Sequence, residues 1–332
     1  MTIQWITFLL SAAVIVGAGI KLASFGEALG RRTGIGQGWI GLVFLAVITS
    51  IPELTTTVTG AAIGAPNIAV GNALGSNLFN VAIIAVVDVL LLGKGPFLSK
   101  VKAYHTTSGG LAILLTALAL VGILVPHEAT LGGISPVSYL ILIGYLFGAY
   151  LLYRIERREE GTDAPDEGTM SLSRALTGFL VSAALIIIAG IFLIRASKAI
   201  ADGTGISSSL IGAVLVAIVT SLPELATSIG ALKIGAYDMI VGNLFGSNMF
   251  NILTIFFADL ALRKGSIFAA LGAGRSDQLL VGIIGIGITA IAVIGIGARS
   301  SRRILGMGAD AAGILLGYLA GTALIIARGI HL

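Results

Sequence analysis

The chain contains no cysteine, which excludes disulfides and thiolate metal centres. Only 11% of its 332 residues are charged, against about 25% in a soluble globular protein. Its three histidines, His105, His127 and His331, fall in or near expected loops and do not cluster. No histidine or cysteine lies in the expected core, and the chain is not read as an enzyme. The first 25 residues lack a basic leader and a convincing cleavage site, so they are expected to form a retained helix. What fills the chain instead is apolar: 56% of residues are hydrophobic and the mean hydropathy is +1.03. This is the composition of a membrane protein, and 46 glycines suit close helix packing in lipid. The net charge of +4 comes from basic residues in short loops between apolar runs. That pattern favours control of topology over nucleic-acid binding.

A spanning helix needs about 20 apolar residues. Ten such runs fall near 3–25, 38–62, 67–92, 107–125, 134–153, 172–195, 207–232, 237–262, 277–298 and 308–329. The longest polar interruption, 154–171, is read as a charged, solvated linker between two five-helix halves, 1–153 and 172–332. An odd number of helices per half makes the second half enter the membrane from the opposite side, so the halves form inverted repeats. With the N-terminus outside, 14 lysines and arginines lie on the inner side and six on the outer. This satisfies the positive-inside rule. The expected fold is an all-α membrane protein with ten transmembrane helices, multi-pass in the cytoplasmic membrane. Both termini lie outside and the linker in the cytoplasm.

One stretch occurs twice, offset by 171 residues. Thr49-Ser50-Ile51-Pro52-Glu53-Leu54 recurs as Thr220-Ser221-Leu222-Pro223-Glu224-Leu225. The stripe Asn72, Ser76, Asn80 recurs as Asn243, Ser247, Asn251. From Ile40 to Asp88, 23 of 49 positions match the second copy without a gap. Pro52 and Pro223 lack an amide proton and clash with the carbonyl four residues back. They free the carbonyls of Ile48 and Val219 and loosen those of Thr49 and Thr220. Within lipid such groups need protein, water or an ion. Thr49 and Glu53, like Thr220 and Glu224, share a helix face, with Ala46 and Ala217 one turn away leaving room. The donors are carboxylate, amide, hydroxyl and carbonyl oxygen, which suit Ca²⁺ or Na⁺ better than soft metals. A charge at mid-bilayer costs roughly 2.5–3.5 kcal/mol. Two facing carboxylates repel unless a divalent cation or protons neutralise them, so metal and counter-ion compete for one negative site.

Blander roles exist for each residue. The glutamates could be protonated and hydrogen-bonded at a structural kink. Asn80, Asn251, Ser76 and Ser247 could tie helices together. Asn77 and Asn248 lie one residue off the stripe and are read as packing. Asp88 and Asp259 lie about 12 Å further along, at 1.5 Å per residue. They are read as boundary residues paired with Lys94 and Arg263, with a vestibule or proton relay as the other option. A passive cation channel would use the same oxygens without coupling to a second ion.

The doubled T-S-[IL]-P-E-L and G-N-x-x-G-S-N-x-x-N resemble the α-repeats of the calcium/cation antiporter superfamily, of the prokaryotic sodium/calcium exchanger type. The resemblance is specific in the repeats and consistent over ten helices. It implies Ca²⁺/Na⁺ exchange by alternating access, with the first and sixth helices sliding over a fixed bundle. It further implies Glu53 and Glu224 as principal Ca²⁺ ligands, joined by the Thr49 and Thr220 carbonyls. Sodium would be held by Ala46, Thr49, Ser76 and Glu53 on one side and by Ala217, Thr220, Ser247 and Glu224 on the other. No cofactor or protein partner is implied; the ions are substrates and the surround is membrane lipid. One position departs from the pattern. Some sodium/calcium members carry aspartate where Asn251 stands opposite Asn80. Two formal charges balance one Ca²⁺, two Na⁺ or two H⁺. Proton-coupled relatives also pair two glutamates with two asparagines, but usually carry G-N in place of T-S. The counter-ion is therefore Na⁺ or H⁺, and the cargo Ca²⁺ or another divalent cation.

Overall fold

The computed structural model describes residues 1–33, 45–91, 95–125, 130–159, 170–233, 235–262, 265–299 and 301–329. In chain order the helices are α1 (Thr2–Thr33), α2 (Leu45–Thr49), α3 (Ile51–Ala62), α4 (Pro66–Leu90), α5 (His105–Leu124), α6 (Pro136–Glu159) and α7 (Leu172–Thr204). Then come α8 (208–220, with a π-helical stretch Ile211–Val216), α9 (Leu222–Lys233), α10 (Tyr237–Leu262), α11 (Arg275–Ala298) and α12 (Ala309–Gly329). The chain is an all-α membrane protein. Among the described residues nine segments are long and apolar enough to span a bilayer. The tenth expected span, 38–62, is described from Leu45 onward as α2 and α3, and its beginning lies outside the described residues. So do Lys94, Arg263, His127, His331 and most of the expected linker. A two-stranded ribbon, Arg303–Ile304 with Met307–Gly308, is the sheet among the described residues.

Burial separates centre from rim. The spanning windows of α4 and α10 are 78% and 94% buried, whereas those of α6 and α12 are only 28% buried. The two helices carrying the polar stripes are thus wrapped by the rest, which turn leucine, isoleucine and phenylalanine outward. Glycine lets the centre close up. A Cβ at Gly75 of α4 would lie 2.2 Å from the Ala213 carbonyl oxygen of α8, so any side chain there would push the two backbones apart.

α1 and α7 form the most extensive helix pair among the described elements, and their packing on the centre is unequal. Gly19 of α1 and Gly190 of α7 are 171 residues apart. A Cβ on Gly19 would meet Pro223 Cγ at 2.3 Å; one on Gly190 would meet Thr55 Cγ2 at 2.8 Å. The repeat equivalent of Pro223 is Pro52, so the second contact sits three residues further along its helix. The two halves are out of register by about one turn, roughly 5 Å.

The expected partners of Asp88 and Asp259, Lys94 and Arg263, lie outside the described residues, but the bonds these aspartates make to loops are described. Asp88 Oδ1 accepts the Phe97 amide (2.6 Å) and Oδ2 accepts that of Gly308 (2.8 Å). Asp259 Oδ1 accepts the Ile267 amide (2.7 Å), and Oδ2 accepts Ser135 N–H (2.7 Å) and Ser138 Oγ–H (2.6 Å). Both carboxylates staple loops to the ends of α4 and α10, because a buried loop amide needs an acceptor and a buried carboxylate needs donors. His105, expected in or near a loop, begins α5 and is buried with Nε2 3.4 Å from Asp238 Oδ1.

Candidate functional site

Each half carries an interrupted helix. α2 ends at Thr49 and α3 begins at Ile51, with Ser50 between them at φ −90°, ψ 12°. Ser221 separates α8 from α9 at φ −92°, ψ 6°. Proline two residues beyond each serine removes an amide and clashes with the carbonyl four residues back. The chain restarts at once, so Glu53 and Glu224 stand in the first turn of α3 and α9. There the positive end of the helix dipole favours a carboxylate. Both side chains are fully buried.

Hydrogen bonds across the centre exchange partners between halves. Ser221 Oγ donates to Glu53 Oε1 at 2.8 Å, and Ser50 Oγ donates to Glu224 Oε1 at 3.2 Å. Asn77 Nδ2 donates to the Asn248 carbonyl at 3.1 Å, and Asn248 Nδ2 to the Asn77 carbonyl at 3.3 Å. Thr49 Oγ1 reaches Asn243 Oδ1 at 3.3 Å, and Thr220 Oγ1 reaches Asn72 Oδ1 at 3.1 Å. Each bond maps onto its mate when residue i is exchanged with i + 171. Such reciprocity requires a pseudo-two-fold axis, as in an isologous interface. Asn77 and Asn248, read from sequence as packing, tie the two central helices at that axis.

The other candidate residues gather around the same point. Ser247 Oγ has Glu224 Oε1 (3.3 Å) and the Ala46 carbonyl (3.4 Å) as acceptors for its one proton, and lies 3.4 Å from Thr49 Oγ1. Ser76 Oγ lies 3.4 Å from Thr220 Oγ1, while the Ala217 carbonyl faces the Thr220 hydroxyl at 3.3 Å. Asn80 Nδ2 donates to Asn248 Oδ1 at 3.1 Å. Asn251 sits one turn beyond Ser247 on α10, with both amide atoms buried and without a hydrogen bond. Glu53 Oε2, Glu224 Oε2 and Asn80 Oδ1 are likewise buried and unpartnered. Among the described residues, no group of three or more His, Cys, Asp or Glu gathers anywhere. The centre is therefore two carboxylates amid neutral oxygens. Buried acceptors without donors are costly in a closed protein, and a cation is a group that would satisfy such acceptors.

Ser50 and Ser221 lie outside the site set drawn from sequence, yet each donates directly to the opposite glutamate. Asn72 and Asn243, legible as part of the stripe, were also outside it. The available signal was identity between the two copies: all four positions repeat at the 171-residue offset.

Fold and centre together define a multi-pass membrane protein whose two related halves each contribute one broken helix and one acid to a shared interior site. The profile described as sodium/calcium exchanger protein matches residues 3–155 and 174–326, and the chain belongs to that family. It is similar to the sodium/calcium exchanger MaX1 of Methanosarcina acetivorans, with 25% identity over 304 residues, 81% of this chain and 87% of that one. Among solved structures, the sodium-calcium exchanger NCX_Mj shares the fold at a TM-score of 0.64 and 21% identity, covering 97% of this chain and 99% of the other. The H⁺/Ca²⁺ exchanger CAX does so at a TM-score of 0.71 and 15% identity, covering 98% and 86%.

Proposed function

We propose that this protein is a secondary active antiporter that exchanges Ca²⁺ for Na⁺ by alternating access. The observation that carries the reading is the pair Glu53 and Glu224: fully buried, one from each half, each with an oxygen that no protein donor satisfies. Two like charges in a dry interior are tolerable only when neutralised, and one Ca²⁺, two Na⁺ or two H⁺ each supply two positive charges. Competition for that balance is what couples the fluxes. Ala46, Thr49, Ser76 and Asn80, with Ala217, Thr220, Ser247 and Asn251, would complete the oxygen set, and the hydroxyl-bearing Thr-Ser pairs favour Na⁺. Family membership and the name of its relative MaX1 support the same chemistry.

The unequal seating of Gly19 and Gly190 supports alternating access. A one-turn slide of the α1–α7 unit would exchange the two registers and carry the site from one face to the other. In this reading 1–153 and 172–332 are inverted repeats joined by 154–171. The protein sits in the cytoplasmic membrane with both termini outside, and no protein partner or cofactor is required.

A second reading, H⁺ as counter-ion, is favoured by the two asparagines, Asn80 and Asn251, that accompany the two glutamates. Reconstituted vesicles loaded with Na⁺, or with a pH gradient alone, separate the two by ⁴⁵Ca²⁺ uptake. Sodium-driven uptake is the expected result. Uptake driven only by pH overturns the sodium assignment, and downhill Ca²⁺ flux that neither ion energises means a passive channel. Asn251→Asp adds a third negative charge beside the other two. It should tighten cation binding about tenfold, the effect of one favourable charge contact of ~1.4 kcal/mol. An unchanged half-saturating cation concentration would reduce Asn251 to a packing residue.

A further inference from the structure

Asn72 and Asn243 are absent from the ion-ligand set proposed above, yet each is wired into it in the same way. The Asn72 Nδ2 group donates to Thr56 Oγ1 at 2.8 Å and to Thr57 Oγ1 at 2.9 Å, with the Glu53 carbonyl at 3.4 Å. Thr56 Oγ1 in turn donates to the Pro52 carbonyl at 2.8 Å and faces that of Glu53 at 3.1 Å. The hydroxyl proton of Thr56 is thereby committed, and its oxygen can only accept from Asn72. This fixes which way the Asn72 amide faces: nitrogen toward α3, oxygen toward the other half. The oxygen has no proton, so in its 3.1 Å contact with Thr220 the hydroxyl is the donor, nearer than it is to its other acceptor, the Ala217 carbonyl at 3.3 Å.

The second half repeats the logic. Thr227 Oγ1 lies 3.0 Å from both the Pro223 and Glu224 carbonyls, and accepts from Asn243 Nδ2 at 3.3 Å. Asn243 Oδ1 therefore faces Thr49, whose hydroxyl proton it shares with the Ala46 carbonyl, each at 3.3 Å. Each asparagine thus grips the first turn that carries its own half's glutamate and sets the hydroxyl of the opposite half's threonine.

The consequence concerns hydrogen-bond polarity. Thr220 and Ser76 lie within hydrogen-bond reach of the Glu53 carboxylate, and Thr49 and Ser50 within reach of that of Glu224, so carboxylate and asparagine oxygen compete for each threonine proton. A threonine hydroxyl free to rotate would donate to the adjacent carboxylate and occupy one of its lone pairs. With its proton drawn to the asparagine, the same hydroxyl offers only lone pairs toward the carboxylate, and Oε2 of each glutamate, which no protein donor reaches, is left for a cation. We infer that Asn72 and Asn243 are positioning residues that hold the Thr220 and Thr49 hydroxyls in the acceptor orientation and thereby set the cation affinity of the centre. An amide is suited to this task because it both donates and accepts; aspartate could not donate to Thr56, and an apolar residue could do neither.

The inference rests on the Ca²⁺-antiport reading, and paired substitutions test it. In reconstituted vesicles the half-saturating Ca²⁺ concentration for exchange is measured for Asn72→Ala, Thr220→Val and the two combined. It is measured likewise for Asn243→Ala with Thr49→Val, and for the crossed pair Asn72→Ala with Thr49→Val. Each single change should raise that concentration about tenfold, as loss of one hydrogen bond to a charged site does. Asn72→Ala on the Thr220→Val background should add less than about twofold, because acting through a shared partner abolishes additivity. The crossed pair should multiply. Multiplicative effects in the matched pairs, or wild-type values in the single variants, would overturn the positioning role. Should alanine at 72 prevent folding, the equivalent pair in the other half, Asn243→Ala with Thr49→Val, decides the matter by the same criterion. Wild-type vesicles that carry no Ca²⁺ would overturn the antiport reading and this inference with it, an outcome visible before any variant is made.

Discussion

Glu53→Gln will abolish Ca²⁺ transport, and Glu224→Gln will do so independently. Glutamine keeps the shape of the side chain and removes one of the two formal charges in the centre. The opposing charge of the cation is then met by a single carboxylate and by an amide that brings two donor protons. A charge-assisted contact contributes roughly 1.5–3 kcal/mol, so affinity alone should fall by one to two orders of magnitude. Coupling suffers further, because one negative charge no longer balances a divalent ion or two monovalent ones. A folding defect can be separated from this effect. Burying an uncompensated carboxylate is costly, so each glutamine variant should melt at or above the wild-type temperature in cation-free detergent. ⁴⁵Ca²⁺ uptake at wild-type rates by either well-folded variant would remove that residue from the site.

Substitutions at Gly19 and Gly190 should each cut exchange at least tenfold, yet bias access in opposite directions. In the present arrangement Gly19 rests on the rigid ring of Pro223, where a Cβ would come within 2.3 Å; Gly190 rests on Thr55 at 2.8 Å. After a one-turn slide Gly190 would face Pro52, the repeat equivalent of Pro223, and Gly19 would face Ala226. Gly19→Ala therefore penalises the present arrangement more, and Gly190→Ala the alternative. Overpacking of this kind costs about 1–3 kcal/mol, which moves a two-state equilibrium by about one to two orders of magnitude. The chain has no cysteine, so a thiol introduced at Thr59 is the sole target for labelling. Thr59 lines an open apolar groove of about 1000 Å³ that also includes Leu54 of α3, Ile187 and Ile191 of α7, and Phe257 and Leu260 of α10. Because α7 forms one wall, sliding alters access to it. Labelling should fall with Gly19→Ala and rise with Gly190→Ala. Equal shifts in one direction would rule out the exchange of registers.

Read alone, the amino-acid sequence determined the apolar spans, the duplication, the two proline-broken helices and the oxygen chemistry gathered around Glu53 and Glu224. These are local or periodic properties. Apolar length decides what can cross a bilayer, proline decides where a helix breaks, and a fixed offset decides which residues correspond. Only the tertiary structure decided which groups face one another. Ser50 donates to the glutamate of the other half, 174 residues away. Asp88 and Asp259 each accept hydrogen bonds from loop amides brought to them by the fold. The asymmetry between Gly19 and Gly190 had no counterpart in the sequence at all. Two glycines at equivalent positions read alike in the chain, and only the packing of α1 and α7 against unequal partners sets them one turn apart.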